Sequence, residues 1–252
     1  LLAVGSERYT PYMEVKRPQE LLTTANAILG FNQMSLAKYL FIIAKEGSST
    51  PRAKEEEAFF RYLLERFDPT RDLHFQTKTT IDTLDYSGSD LNGGSKLVIA
   101  AVGDKKRTLG SEIRNLQLPE GFRNPRVVFP GVLALQGVTY SDGRDIDELL
   151  ESLLSQKDLL RGFPVITLVD DSEFTARTLN NFLWVTFTRS NPSHDVRGVG
   201  EFIENKHWGC AGPVIFDSRK KPHHAPELVK DSKVEKAIER LAVSGASLHN
   251  LF

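Results

Sequence analysis

The chain has 252 residues, 40% of them hydrophobic and 26% charged, with 32 Lys and Arg against 33 Asp and Glu. A formal charge of −1 excludes a global field that would gather nucleic acid or an anionic membrane, and no apolar run approaches the roughly 18 residues that span a bilayer. A single cysteine, Cys210, excludes an internal disulfide framework and suits a reducing, cytoplasmic setting.

Leu1-Leu2-Ala3-Val4-Gly5 opens the chain without an initiator Met or the basic flank of a signal peptide, and reads as a strand cut from a longer polypeptide. Pro18 marks the first turn of a helix whose stripe is Leu21, Leu22, Ala25, Ile28 and Leu29, with Gly30 as its stop. Tyr39–Ile43 reads as a fully buried strand. Residues 55–67 then place Phe59, Phe60, Leu63, Leu64 and Phe67 on one helical face, and Asp68-Pro69 ends that helix. The stretch 75–96, rich in Thr, Asp, Ser, Gly and Asn, is expected to be a long polar loop, of the kind that is functional or covered by a partner.

A strand at 97–102 closes this first unit. Short strands at 126–129 and 132–135 follow, then a helix with Asp145 as N-cap and Glu148 completing a capping box. Val165–Val169 forms the next strand, ending at Asp170-Asp171, with Ser172-Glu173 starting a helix. The apolar run Phe182 to Phe187 predicts a helix buried between layers. A last helix over 232–242 carries Val234, Ala237, Ile238 and Leu241 on one face, with Gly245 beyond it.

The chain says the same thing twice. Arg66, Pro69 and Asp72 recur at one constant offset as Arg189, Pro192 and Asp195, each set following an apolar strand and an aromatic helix. Each copy then closes on an apolar strand and a basic tail, Lys105-Lys106-Arg107 and Arg219-Lys220-Lys221, both expected to be solvated. Strands alternating with helices predict an α/β fold of mostly parallel sheet flanked by helices, built from two related strand–helix–strand units. The expected boundaries are 1–118 for the first unit with its N-terminal helix, 119–162 for connecting strands and a helix, and 163–252 for the second unit with the C-terminal helix, all in one compact C-terminal fragment.

Few residues suggest chemistry. Gly93-Gly94-Ser95-Lys96 resembles a phosphate cradle but precedes a strand and lacks P-loop spacing, so it reads as an ordinary turn. His223-His224 are adjacent and diverge, while His74, His194 and His207 are scattered, so no metal site is expected. Asp170-Asp171 at a strand's carboxyl end suits either ligand binding or helix capping. Asp82, Asp85 and Tyr86 offer acid–base groups without a paired base or nucleophile. No catalytic constellation is complete, and Cys210 reads as a buried small residue.

Taken together, Lys38-Tyr39-Leu40-Phe41-Ile42-Ile43, Arg66-Phe67-Asp68-Pro69-Thr70-Arg71-Asp72, Asp82-Thr83-Leu84-Asp85-Tyr86 and Gly94-Ser95-Lys96-Leu97-Val98-Ile99 resemble the C-terminal domain of the UbiD family of decarboxylases. The second unit resembles the same pattern, keeping the acidic strand end at Asp170-Asp171 and the final Asp at Asp217, where the first has Ala100-Ala101. The duplication suggests a long member of the kind associated with quinone biosynthesis.

The resemblance implies prenylated flavin mononucleotide and a divalent metal (Mn or Mg) in the full-length protein, and reversible decarboxylation of aromatic or α,β-unsaturated acids. The family's Glu-Arg-Glu set and metal ligands belong to upstream domains, so no catalytic or metal-binding residue is expected here and no tightly bound cofactor. Lys38, matched to the family's strand-opening lysine, is the expected contact to cofactor phosphate. The expected partners are the upstream domains of the same polypeptide, further copies in a homo-oligomer and a small acid substrate. The expectation is thus an oligomerisation and lid portion, inactive alone. The alternatives are a purely structural oligomerisation module and a free-standing nucleotide-binding α/β protein.

Overall fold

A computed structural model describes residues 1–8, 12–88, 90–226 and 231–249. In chain order the elements are β1 (Leu2–Gly5), α1 (Glu20–Leu29), a 3₁₀ turn (Asn32–Leu36), β2 (Tyr39–Ala44), α2 (Glu56–Arg66), β3 (Leu73–Thr80), β4 (Gly93–Ala101), β5 (Arg123–Phe129) and β6 (Val132–Gln136). They continue as α3 (Asp145–Ser155), β7 (Val165–Val169), α4 (Ser172–Ala176), α5 (Leu179–Thr188), α6 (Pro192–Asp195), β8 (Val196–Gly198), β9 (Glu201–Glu204), β10 (His207–Cys210), β11 (Val214–Asp217) and α7 (Ser232–Ala242).

The repetition in the sequence is a repetition of topology. The first sheet has the order β1-β2-β4-β3, with β1, β2 and β4 parallel and β3 antiparallel. The second has the order β5-β6-β7-β11-β8, with β6, β7 and β11 parallel, β8 antiparallel and β5 added as an antiparallel edge. Three parallel strands with an antiparallel strand at the same end thus occur twice. The strands of the connecting segment complete the second sheet.

Strand alternation assigns the faces. In β2, Tyr39, Phe41 and Ile43 point into the interior shared by both sheets, while Leu40, Ile42 and Ala44 pack with Leu21, Ala25 and Leu29 of α1. In the second sheet Val165, Val214 and Phe216 face the shared interior, and Leu133, Leu135, Ile166 and Ile215 meet Leu149, Leu150 and Leu153 of α3. Each parallel centre is covered on both faces, which is why β2 and β7 are buried along their whole length. Residues of α2 and α5 fill the shared interior. There Phe187 stands 4.8 Å from Tyr39, 5.3 Å from Phe41 and 5.7 Å from Phe216, ring centre to ring centre.

The two Arg-x-x-Pro-x-x-Asp turns are held crosswise. The carbonyl of Pro69 in the first copy accepts the Cys210 N–H of the second at 3.0 Å. Conversely, Ser95 of the first copy accepts the Ser193 N–H at 2.8 Å and bonds the Asn191 side chain.

Four expectations need correction. The polar stretch 75–96 is strand at both ends, since β3 runs to Thr80 and β4 starts at Gly93 with a bulge between Gln76 and Thr79, and the loop proper lies between those strands; the outward polar residues of β3 disguise an edge strand. Asp145 is the first residue of α3 and makes no cap; its carboxylate pairs with Arg219 instead. The tail Arg219-Lys220-Lys221 is not solvated, because Arg219 and Lys221 are buried. In α5 Phe182 and Val185 are buried but Trp184 is 55% exposed, so the helix has one wet face. Asp171, by contrast, caps α4 by accepting the Phe174 N–H at 2.9 Å.

Candidate functional site

The polar chemistry of the chain gathers where the foot of the first sheet meets the strand ends of the second. Lys38 immediately precedes β2 and is buried. Its ammonium sits 2.8 Å from the Asp85 carboxylate and donates to the Ser87 hydroxyl at 2.7 Å. Burial lowers its pKa, against the opposing pull of Asp85. Asp85 also accepts the Ser87 N–H and O–H at 2.9 and 2.6 Å, so this ion pair shapes the loop between β3 and β4.

Across the junction, Lys221 lies 3.3 Å from Asp195 and donates to the carbonyls of Asp217 at 2.7 Å and Arg189 at 3.3 Å. Burial raises the Asp195 carboxyl, with Lys221 opposing. Arg219 donates to both carboxylate oxygens of Asp217, at 2.9 and 2.7 Å, and to Asp145 and the Val138 carbonyl. Burial alone would lower the Arg219 pKa, but the two carboxylates hold it above its ordinary value. Such fixed, forked pairing suits a guanidinium. Tyr140 lies under both cations, 5.3 Å from Arg219 and 5.2 Å from Lys221.

Outside this buried row lies a cavity of about 740 Å³. The β3–β4 loop lines one side with Leu84, Asp85 and Tyr86, and α5 lines the other with Trp184, Phe187 and Arg189. Leu84, Tyr86 and Trp184 are all more than half exposed. Arg189 lies over the Trp184 ring and pairs with Asp170 at 3.1 Å. Asp170 also accepts the Lys220 N–H at 2.8 Å, so this strand-end carboxylate is engaged by the protein itself.

Asp85 and Tyr86 thus line this cleft, Lys38 stands behind Asp85 against a neighbouring cavity, and Asp170 lines another, joined to the cleft through Arg189. Lys96 stands apart: its ammonium donates to the carbonyls of Ser35, Ala37 and Thr80, so the Gly-Ser-Lys run is a buried strand start. His223 reaches the Ser87 carbonyl at 3.3 Å, tying the second copy to the loop of the first. Arg219, Asp217 and Asp145 escaped sequence reasoning as a cluster. Only the final Asp of the repeat signalled it, since Asp145 comes from a different element.

Residues 1–101 match the protein-family profile described as the 3-octaprenyl-4-hydroxybenzoate carboxy-lyase C-terminal domain, UbiD_C. Over 241 residues the chain is 32% identical to a 4-hydroxybenzoate decarboxylase subunit of Chlamydia pneumoniae, covering 94% of this chain and 38% of that protein. Residues 1–101 belong to the UbiD C-terminal domain family. A Chlamydia trachomatis protein is likewise 32% identical, over 94% of this chain and 37% of its own length. The chain thus spans well under half the length of these relatives. The vanillic acid decarboxylase of Sedimentibacter hydroxybenzoicus, in its open form, aligns over 66% of this chain and 43% of its own, at 12% identity and a TM-score of 0.30.

The flavin and metal that the UbiD resemblance implies can be tested against the residues present. A flavin phosphate needs cations or N–H donors not already neutralised. The buried cations Lys38, Lys221 and Arg219 each face a carboxylate, and Lys96 is saturated by carbonyls. Among the described residues no group of three or more His, Cys, Asp or Glu could hold a metal ion. Among the described residues these buried cations are therefore engaged by the protein itself.

Proposed function

We infer that this chain is the C-terminal portion of a UbiD-type carboxy-lyase acting on aromatic or α,β-unsaturated acids, with prenylated FMN and Mn or Mg held by other domains of the polypeptide. Its part is to supply one wall of the cleft and contacts between subunits. The observation that carries this reading is the cavity beside Asp85: its walls carry Tyr86, Trp184 and Phe187, and its Asp85 and Arg189 are each held in an ion pair. Such a surface can cover a flat, apolar ligand, but it offers no nucleophile–base pair. Lys38 acts there indirectly, fixing the β3–β4 loop through Asp85 and Ser87. Direct contact with a cofactor phosphate requires Asp85 to swing aside.

The test compares this chain with the intact parent protein. With prenylated FMN and Mn supplied, the parent decarboxylates its substrate and this chain alone does not. Robust turnover by the chain alone overturns the assignment. Trp184→Ala in the parent raises KM while the oligomer is unchanged.

A second reading, pure assembly, draws on α7. Its apolar residues Val234, Ile238 and Leu241 are all over 40% exposed, while Asp231 caps it properly. If Trp184→Ala leaves kinetics untouched and deleting residues 231–252 dissociates the oligomer, the module is structural only.

A further inference from the structure

The β9–β10 hairpin lies against the edge of β3, and a cavity of about 550 Å³ opens along that seam. His74 of β3 and His207 of β10 face one another there, with ring centres 5.4 Å apart and planes inclined by 51°. The neighbouring pair, Phe75 and Trp208, packs edge to face at 5.4 Å and walls the site on its apolar side. The Nε2 atoms of both histidines are buried and find no hydrogen-bonding partner among the described residues. A buried polar atom left unpaired forfeits its hydration without compensation, which destabilises the fold. Two such atoms on facing rings point to a shared ligand.

We propose that His74 and His207 form a two-imidazole site for a late first-row divalent ion, such as Cu(II), Ni(II) or Zn(II). The geometry favours it. A tetrahedral ion with bonds of about 2.0–2.1 Å to two ring nitrogens holds the ring centres about 5.2 Å apart, each centre lying about 1.1 Å behind its nitrogen. The observed separation is 5.4 Å. Imidazole nitrogen selects this class of ion over Mg or Ca, which prefer oxygen. A ligating ring must also be neutral. Both histidines line the cavity, whose other polar lining includes Ser193, Thr77 and Asn205. This site lies apart from the Asp85 cleft and does not depend on the decarboxylase reading.

The test is titration of the whole chain with Cu(II), followed by electron paramagnetic resonance and calorimetry, and repeated with Zn(II) as competitor. The expected result is one ion per chain with hyperfine splitting from two ring nitrogens, displaced only by a large excess of Zn(II). Binding is lost in His74→Asn and in His207→Asn but kept in His223→Asn/His224→Asn, which removes the other adjacent pair. Binding that survives in His74→Asn, or that disappears with the His223/His224 change, overturns the proposal. Should a seam variant fail to fold by circular dichroism, the nitrogen count in the native chain decides, and fewer than two ring nitrogens overturns it.

Discussion

Asp72 and Asp195 do the same work in the two copies. Each carboxylate turns back to accept the backbone N–H four residues earlier, Asp68 at 2.8 Å and Asn191 at 2.6 Å, and so closes its Arg-x-x-Pro-x-x-Asp turn. They differ in their cations. Asp72 is paired by its neighbour Arg71 at 2.6 Å, whereas Asp195 is paired by the distant Lys221.

Burial raises the Asp72 carboxyl from 3.8 to about 6, despite Arg71. The native state thus keeps a proton that the unfolded chain has released. Its contribution to stability is full below about pH 3.8 and is lost as pH rises through about 6. His74 and His224, both lowered to about 4 chiefly by burial, act in the opposite sense: their contribution is present above pH 6.5 and falls away toward 4. Asp72→Asn removes the group that gains on acidification. The variant therefore loses more stability than the native chain between pH 6 and 4. Urea unfolding at a series of pH values checks this, and parallel curves would refute it.

Removing the Lys221 ammonium strands Asp195. With its cation gone, that buried carboxylate must either ionise unpaired or take up a proton. Lys221→Met should cost roughly 3–5 kcal/mol in urea unfolding. Lys221→Met combined with Asp195→Asn should recover part of that loss, and a double variant as unstable as the single one contradicts the pairing.

Tyr39 joins the copies through its hydroxyl, 2.6 Å from the Ser190 hydroxyl, which also donates to the Thr186 carbonyl at 2.6 Å. Tyr39→Phe should cost about 0.5–1.5 kcal/mol. A double-mutant cycle with Ser190→Ala should then return a coupling of about 0.5 kcal/mol or more. Strict additivity would remove this bond from the account.

Gly209 lets β10 come close to the first copy. A Cβ there would lie 2.8 Å from the Thr70 carbonyl oxygen, a backbone atom that cannot step aside. Gly209→Ala should push the hairpin off the β3 edge and separate Trp208 from Phe75. The readout is a red shift and stronger quenching of Trp208 fluorescence, measured in a Trp184→Phe background. An unchanged spectrum refutes the close approach.

Much of the fold was legible because both sheets have parallel centres covered on two faces, and such strands leave largely apolar runs such as Tyr39–Ala44 and Val165–Val169, the latter broken only by Thr167. The edge strand β3 was not legible: half of its residues face outward, and Thr, Lys and Gln there read as loop. The polar centre was harder still. Asp145 satisfied every local rule for an N-cap, yet Arg219 claims its carboxylate from 74 residues away. His74 and His207 looked scattered because only the hairpin lying on β3 brings them together. Local sequence carries periodicity; it does not carry which charges meet across a seam.

The crosswise anchoring of the two turns has one more consequence. Each copy sets its turn against a strand of the other, Pro69 against the end of β10 and Ser193 against the start of β4, a reciprocal contact of the kind that joins the subunits of a dimer. The two related sheets hold one another within a single polypeptide. Separating the halves at the 103–118 connection would expose two unsatisfied, self-complementary surfaces, and each half would pair with its sibling before it could stand alone.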